Sequence, residues 1–436
     1  MLDLKLIRED PEAVRRAIRA KQLPDVLGSF NQALLLDEEH RLLRSDLEVK
    51  QAERNASSKR IGDLKRRGEN ADDLIREMGS LSEEVKRLEE KSRSLEAQLS
   101  ELLLELPNLP HESVPYGESE HDNVVMHERG KKPNFDFTPK PHWELAAARG
   151  WFDLAGGVKT TGAGFPIFKG GGARLLRGLT QYCLNAIISA GYTEVSVPLM
   201  VNAESATATG QLPDKEGQMY TVTDGFYLIP TSELALTNLH RAEILDVSAL
   251  PIRYTTASAC FRREAGSYGA HVRGLNRAHQ FDKVEMVQLT RPEDSYRILE
   301  EMTELSESLL DALGLPYRRL FMCTGDMGFT QAKKYDLEVW SAGQERWLEV
   351  SSVSNITDFQ ARRLGTRFRE GGAQGKGKPE LVHTLNGSAF GMLRMVAAIL
   401  ENYQTEDGSV RVPEVLRTYV GERLEESAEL KVPSAE

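Results

Sequence analysis

Between Leu74 and Leu106 an apolar residue returns every three or four positions: Leu74, Met78, Leu81, Val85, Leu88, Leu95, Leu99, Leu102 and Leu106, with one polar interruption at Ser92. Alternating steps of three and four commit a long helix to bury a narrow seam against a second helix. The partner lies upstream. From Gly28 to about Arg67 the chain is helix-prone and highly charged. Its apolar residues Leu35, Leu42, Val49 and Ala56 recur at seven, and Leu36, Leu43, Leu47, Ile61 and Leu64 form a second, interrupted stripe. Arg67-Gly68-Glu69-Asn70-Ala71 reads as the turn between the helices, and Pro107 and Pro110 end the second one. Asp10-Pro11-Glu12 reads as the cap, N1 proline and acidic first turn of a short preceding helix. At about 1.5 Å per residue each long helix spans roughly 50 Å, so the expectation for residues 1–110 is a domain carrying an antiparallel coiled-coil arm that stands out from a globular body.

The distal end of that arm holds Arg54, Lys59, Arg60, Lys65, Arg66 and Arg67 against Asp63 alone. The whole chain of 436 residues has a formal net charge of -11. It therefore has no basic coat, and a nucleic acid must meet it at a local patch such as this tip. A solvated coiled-coil face or an oligomerisation hairpin fits the same charges. The cysteines Cys183, Cys260 and Cys323 are far apart and form no CxxC, which supports neither a zinc knuckle nor a disulfide framework. The N-terminus lacks an apolar signal core, and no run of apolar residues is long enough to span a bilayer. The expected setting is soluble, reducing and cytoplasmic, with no membrane partner.

Residues 111–140 are rich in Pro, His, Gly and charge and read as a linker. From Pro141 aromatics, glycines and alternating strands appear, and residues 141–436 read as an α+β body built on a mostly antiparallel sheet. Gly170-Gly171-Gly172 lacks the spacing of a phosphate loop and reads as a helix-entry turn into residues 173–190. Residues 191–198 read as a strand ending at Pro198. Phe226 to Glu233 reads as a strand running into a helix, with Thr231 or Ser232 as its cap. Phe261 to Glu285 has two β-prone ends and a polar, glycine-containing middle, so it reads as two antiparallel strands joined by a long loop. Its ends carry Arg262, Glu264, Phe281 and Glu285. A forked cation, two carboxylates and an aromatic face on neighbouring strands suit a nucleotide plus a small zwitterion. The same residues also suit a plain surface hairpin with ordinary salt pairs. Residues 335–340 and 347–352 read as a hairpin around Gly343. Its Glu349 and Ser352 can face solvent, or can hold Mg²⁺ on a triphosphate. Asn386-Gly387-Ser388 reads as a turn into a last helix, 389–403, carrying Arg394.

In this order the stretches FRREAGS, HQFDKVEM, AKKYDLEVW, EVSSVSN with DFQARR, and HTLNGS make the chain resemble the seryl-tRNA synthetase family, a class II aminoacyl-tRNA synthetase family, over nearly its whole length. The resemblance implies an antiparallel catalytic sheet, a homodimer formed through the strand ending at Pro198, and an arm that grips the long variable arm of tRNA. It implies activation of L-serine with ATP to seryl-adenylate and pyrophosphate, then transfer of serine to the 3′ end of tRNA(Ser), with tRNA(Sec) open as a second acceptor. By this resemblance Thr231, Glu233, Arg262, Glu285 and Ser388 bind serine. Arg262, Arg263, Glu264, Ala278, Phe281, Glu349, Val350, Ser351, Ser352 and Arg394 bind ATP, Glu349 and Ser352 hold Mg²⁺, and Arg262, Glu285 and Arg394 carry the chemistry. The six tip cations become the tRNA contacts. The loop 269–275 departs from the family's usual GRDTRGL, Ala278 replaces a common valine, and Val353 and Ile356 replace common cysteines. A synthetase-like RNA-binding protein without activity is the alternative, and it predicts loss of Arg262, Glu285 or Arg394. All three are present.

Overall fold

The structure, a computed structural model, describes residues 1–214, 217–264 and 273–424. It separates into two compact units, Met1–Pro107 and Asn108–Glu436.

In the first unit two short helices, Leu4–Glu9 and Pro11–Ala20, precede two long ones, α1 (Val26–Arg66) and α2 (Asp72–Leu104). Asp10 caps the second short helix by accepting from the Ala13 N–H at 2.8 Å, ahead of Pro11 at its start. The seam of α2 is the one the spacing predicts: Val85, Leu88, Leu95 and Leu99 are buried. The row at seven on α1 turns outward instead, with Leu35 and Leu42 both 68% exposed and Val49 53% exposed. One apolar residue per heptad cannot build a seam that needs two. The interrupted stripe faces inward, half-buried at Leu36, Leu43, Leu47 and Leu64 and buried at Ile61. Polar pairs fill its gaps: His40 Nε2 lies 3.0 Å from Ser92 Oγ, and Gln51 Nε2 donates to Glu89 Oε1 at 2.9 Å. The polar break at Ser92 therefore meets a polar partner. Gly68, at φ +74°, makes the turn between the helices, in a region that disfavours a side chain.

The second unit is built on an eight-stranded sheet. Its strands are β1 (Val124–Arg129), β2 (Thr193–Glu194), β3 (Ile252–Phe261), β4 (Gln280–Thr290), β5 (Tyr317–Phe321), β6 (Lys333–Ser341), β7 (Arg346–Thr357) and β8 (His383–Gly391), in the spatial order β1-β5-β6-β7-β8-β4-β3-β2. Every pairing is antiparallel except β2 with β3. Helices α3 (Gly170–Ser189), α4 (Ser295–Leu313) and α5 (Met392–Asn402) pack on it around one core that includes Leu175, Leu179, Ile298, Leu310, Phe390, Val396 and Ile399. Among the described residues no helix is long and apolar enough to cross a membrane.

Three segments differ from their sequence reading. Residues 111–140 contain β1, the edge strand of the sheet, and so are more than a connection. Only Thr193–Glu194 of the stretch ending at Pro198 is a strand, although the Val195 N–H still donates to Thr255 O at 2.8 Å. Asn386-Gly387-Ser388 lies inside β8 rather than in a turn, and the last helix begins at Met392. Turn-forming residue types mislead there because the sheet packs tightly at Gly387, where an added Cβ would sit 3.0 Å from Val353 Cγ1.

Candidate active site

Strand period places Phe281, Lys283 and Glu285 on one face of β4, and the pairing of β8 with β4 sets Ser388 opposite Glu285. Glu285 is completely buried. A buried carboxylate must be matched by donors, and Glu285 has three: Asn386 Nδ2 to Oε1 at 3.2 Å, Ser388 Oγ to Oε2 at 3.2 Å, and Lys283 Nζ to Oε2 at 2.7 Å. Lys283 also donates to Thr231 Oγ1 at 2.6 Å. Thr231 Oγ1 further accepts the Glu233 N–H at 3.3 Å, so its own O–H hydrogen is left to point at a ligand. Ser232, not Thr231, is the N-cap of the helix that starts at Glu233, and it makes no side-chain cap bond; the Thr231 hydroxyl is instead turned to Lys283.

Glu233, buried beside this cluster, has its carboxyl pushed up to about 7 by burial and then by repulsion from Glu285, against a bond from Gln360 Nε2 at 2.7 Å. Gln360 is fixed in turn by Thr384 Oγ1, which donates to its Oε1 at 2.7 Å. The result is an acidic, hydrogen-bonding end fitted to a small molecule with an ammonium and a hydroxyl.

This end opens into a cavity of about 390 Å³ whose walls include Thr231, Glu233, Arg262, Glu264, Ala278, Phe281, Lys283, Glu349, Val350, Ser351, Ser352, Ser388 and Arg394. Glu285 backs the cavity through its partners. Arg262 lies over the Phe281 ring, 5.2 Å from its centroid, which leaves a cation and a π face side by side. Ser351 Oγ donates to the Ser388 carbonyl. Glu264 takes φ +48° and pairs with Arg277 at 3.5 Å. Arg263 does not line the cavity; its N–H donates to Gln218 O at 3.0 Å. Arg394 is held by two carbonyls, Asn276 O at 2.9 Å and Glu349 O at 2.8 Å.

A second cavity of about 740 Å³ shares Asn276, Arg277, Glu349 and Arg394 with the first and adds Asp326, Asp336, Arg318 and Arg346. Here Asp336 is buried with Oδ1 lacking any hydrogen-bond partner, while Lys334 Nζ stands 3.0 Å from its other oxygen. Burial, then the charge of Glu349, pushes the Asp336 carboxyl up to about 7 despite Lys334. Burial would raise Glu349 too, but Arg394, Lys334, Arg262 and Arg277 hold its carboxyl below the usual range. An orphaned carboxylate oxygen near a second carboxylate and the Ser352 hydroxyl is a hard, all-oxygen donor set that fits Mg²⁺.

All serine- and ATP-assigned positions except Arg263 thus converge on one site. The sequence reading missed Lys283, Gln360, Asn386, Arg277 and Asp336. Lys283 was within reach: it shares the β4 face of Phe281 and Glu285 by the period of two. The odd loop positions Ala270, His271 and Val272 lie outside the described residues. In the arm, Lys59, Arg60, Lys65 and Arg67 are exposed, Arg54 is half-buried, and exposed Arg66 pairs with Asp63.

Comparison with known proteins matches residues 1–110 to the seryl-tRNA synthetase N-terminal domain and residues 220–403 to the tRNA synthetase class II core domain (G, H, P, S and T). The serine–tRNA ligase of Salinibacter ruber is 54% identical over 97% of this chain and 98% of its own length. That of Exiguobacterium sibiricum is 49% identical over 97% and 98%. The crystal structure of seryl-tRNA synthetase from Pyrococcus horikoshii complexed with ATP superposes with a TM-score of 0.93 at 37% identity, covering 98% of this chain and 100% of that one.

Proposed function

The chain belongs to the seryl-tRNA synthetase family, and from that premise we propose how its residues divide the work of a serine–tRNA ligase. The chain activates L-serine with ATP, releasing pyrophosphate, and passes the seryl group to tRNA. The observation that carries the residue assignment is the continuity of one cavity from the Thr231–Lys283–Glu285–Ser388 cluster, past Arg262 and Phe281, to Arg394.

Serine sits at the acidic end. Its hydroxyl meets Glu285 and Ser388, its ammonium meets Glu233, and its carboxylate turns toward Arg262 and can accept the Thr231 O–H. Adenine stacks on Phe281 against the wall formed by Ala278 and Val350, with Glu264 at its edge. Arg262 spans the serine carboxylate and the α-phosphate, so it holds the nucleophile and offsets charge as the carboxylate oxygen attacks phosphorus and pyrophosphate leaves. Positioning and charge stabilisation dominate such a transfer, and no protein nucleophile is required. Arg394, with Arg277 beside it, takes the distal phosphates. Glu349 and Ser352, with Asp336 behind them, are the residues that would hold Mg²⁺, which would supply charge neutralisation on the triphosphate.

The basic turn of the arm contacts the backbone of tRNA(Ser), and tRNA(Sec) is a second acceptor to be tested. A homodimer is the proposed assembly, supported by the exposed apolar residues Leu199, Met200 and Phe226 around the strand that follows Pro198. The cytoplasm is the proposed compartment.

The deciding experiment is ATP–pyrophosphate exchange without tRNA, run with serine, alanine and threonine. Exchange with serine that disappears in Glu285→Ala is expected. Exchange that is indifferent to Glu285 would overturn the serine pocket, and no exchange with any amino acid would favour an RNA-binding role.

A further inference from the structure

Among the described residues, the assignments above leave one completely buried titratable pair without a task. His142 and Glu401 are both completely inaccessible to solvent, with His142 Nδ1 2.7 Å from Glu401 Oε1. Glu401, on α5, is saturated. The His142 N–H donates to Oε1 at 3.0 Å, the Gly343 N–H donates to Oε2 at 3.0 Å, and the Ser341 hydroxyl donates to Oε2 as well. Burial pushes its carboxyl up, but these bonds and His142 hold it below the usual range, so it is a carboxylate. His142 Nδ1 therefore carries the proton. The other ring nitrogen, Nε2, accepts the Leu275 N–H at 2.9 Å, so it must present a lone pair. A neutral imidazole in the Nδ1–H tautomer alone satisfies both neighbours.

Leu275 belongs to the limb, residues 273–279, that leads into β4, and that limb is pressed onto the ring. Gly274 has φ +71°, and a Cβ there would lie 2.3 Å from His142 Nε2. The Arg273 guanidinium lies 4.9 Å from the centroid of the Trp143 ring. A parallel branch reaches the next residue: Gln344 Nε2 donates to Glu401 Oε1 at 3.0 Å, and Asn276 Nδ2 donates to Gln344 Oε1 at 2.9 Å. The Asn276 carbonyl is one of the two that hold Arg394.

We propose that His142, oriented by Glu401, is a positioning residue for ATP: it seats residues 274–276 so that the Asn276 carbonyl aims Arg394 into the nucleotide cavity. The inference rests on the assignment of Arg394 to ATP. A histidine that only fills core volume would affect folding and both substrates alike. A histidine that aims Arg394 affects ATP selectively, because the serine pocket hangs on Lys283, Glu285 and Ser388, none of which touches this network.

The test is ATP–pyrophosphate exchange with KM measured separately for ATP and for serine, alongside thermal melting. His142→Ala should raise KM for ATP at least about tenfold while KM for serine stays within about twofold. His142→Gln, with an amide N–H for Glu401 and a carbonyl oxygen for Leu275, should recover most of the loss. Gly274→Ala keeps both side chains of the His142–Glu401 pair and pushes the limb off the ring, so it should reproduce the ATP-selective defect; the strain of Ala at φ +71° also lowers the melting temperature, and the ratio of the two KM changes is the readout. If His142→Ala does not fold, Gly274→Ala decides. Equal changes in the two KM values, or an ATP KM untouched by Gly274→Ala, overturn the inference. Arg394→Ala separates the premise: an unchanged ATP KM in that variant sinks the ATP assignment itself, whereas a clear Arg394 defect beside silent His142 and Gly274 variants sinks the positioning role alone.

Discussion

Lys283 Nζ lies 2.7 Å from Glu285 Oε2, and neither side chain is more than 8% exposed. The lysine neutralises the carboxylate proposed to read the substrate hydroxyl, and at 2.6 Å it also fixes the Thr231 hydroxyl. A buried ion pair of this kind adds little net stability, but removing one partner strands the other. Lys283→Met should cost about 3 kcal/mol or more of folding stability, in the range expected for an unpaired buried charge. It should raise KM for serine far more than KM for ATP. Chemical denaturation together with exchange kinetics checks both; a stable variant with an unaltered serine KM would show that Glu285 does not depend on this lysine.

Selectivity follows from the same carboxylate. Alanine cannot make the hydroxyl's bonds, but Glu285 keeps its donors from Asn386, Ser388 and Lys283, so discrimination against alanine should exceed that against threonine yet fall below the roughly 10⁴–10⁵ in kcat/KM of a site left unpaired. Threonine keeps the hydroxyl and adds a methyl, for which steric exclusion gives only roughly 10–200-fold. Threonine is therefore the hardest competitor. Comparing exchange rates for the three amino acids tests the order, and threonine activated nearly as fast as serine would refute the proposed pocket.

Glu233, proposed to meet the serine ammonium, should make serine binding pH-dependent. Its carboxyl is raised to about 7, so below that value it is mostly protonated and gives the serine ammonium no counter-charge. KM for serine should rise about tenfold as pH falls from 8 to 6, since the ionised fraction falls by that factor around a midpoint near 7. Glu233→Gln should flatten the profile. The stability sign is opposite: a carboxyl whose folded value is raised destabilises the fold when ionised, so the contribution is most favourable below the ordinary carboxylate value and is lost as pH rises toward 7. Glu233→Gln should therefore stabilise the fold at pH 8 more than at pH 5, measured by melting at both.

Phe281→Ala removes the ring beside Arg262. Loss of one stacked base is worth about 1–3 kcal/mol, or roughly 5- to 150-fold in KM for ATP. KM for serine should move much less, and only through Arg262, which packs on the Phe281 ring and also faces the serine carboxylate. Equal defects for both substrates would argue that the ring supports the sheet rather than the base.

On the arm, Arg60→Ala, Lys65→Ala and Arg66→Ala combined should weaken tRNA binding. They should also lower the slope of log affinity against log salt by about 2, somewhat less than one unit per lost phosphate contact. Adenylate formation should be untouched. Arg66 already pairs with Asp63 on the surface, so it should contribute least of the three. Unchanged tRNA affinity in the triple variant would remove the tip from the interface.

Much of this was legible in the sequence, for reasons that differ by element. The seam of α2 was readable because two apolar residues per heptad specify one face. The β3–β4 hairpin was readable because its ends alternate and its middle carries glycine. α1 was harder: its most regular row, Leu35, Leu42 and Val49, faces water, and its true inner face is partly polar. That face becomes visible only when His40 is set beside Ser92 and Gln51 beside Glu89. Asn386-Gly387-Ser388 looked like a turn because composition reports turn chemistry and says nothing of a neighbour at Val353 that demands a glycine inside a strand. Lys283 escaped notice because a lysine on a strand reads as solvated until burial shows otherwise. His142 and Glu401 stand 259 residues apart, and no spacing rule spans that distance.

The polar contacts inside the hairpin set its register as well as filling its gaps. Sliding one helix by a heptad against the other would bring apolar groups opposite apolar groups again, but it would leave Ser92, Glu89, His40 and Gln51 facing the wrong residues. The two-helix arm therefore behaves as a ruler with engraved marks. Seven residues inserted at matching depths in both helices would carry the basic turn about 10 Å further along the hairpin axis with every mark still aligned. An insertion in only one helix would break the scale at its first graduation.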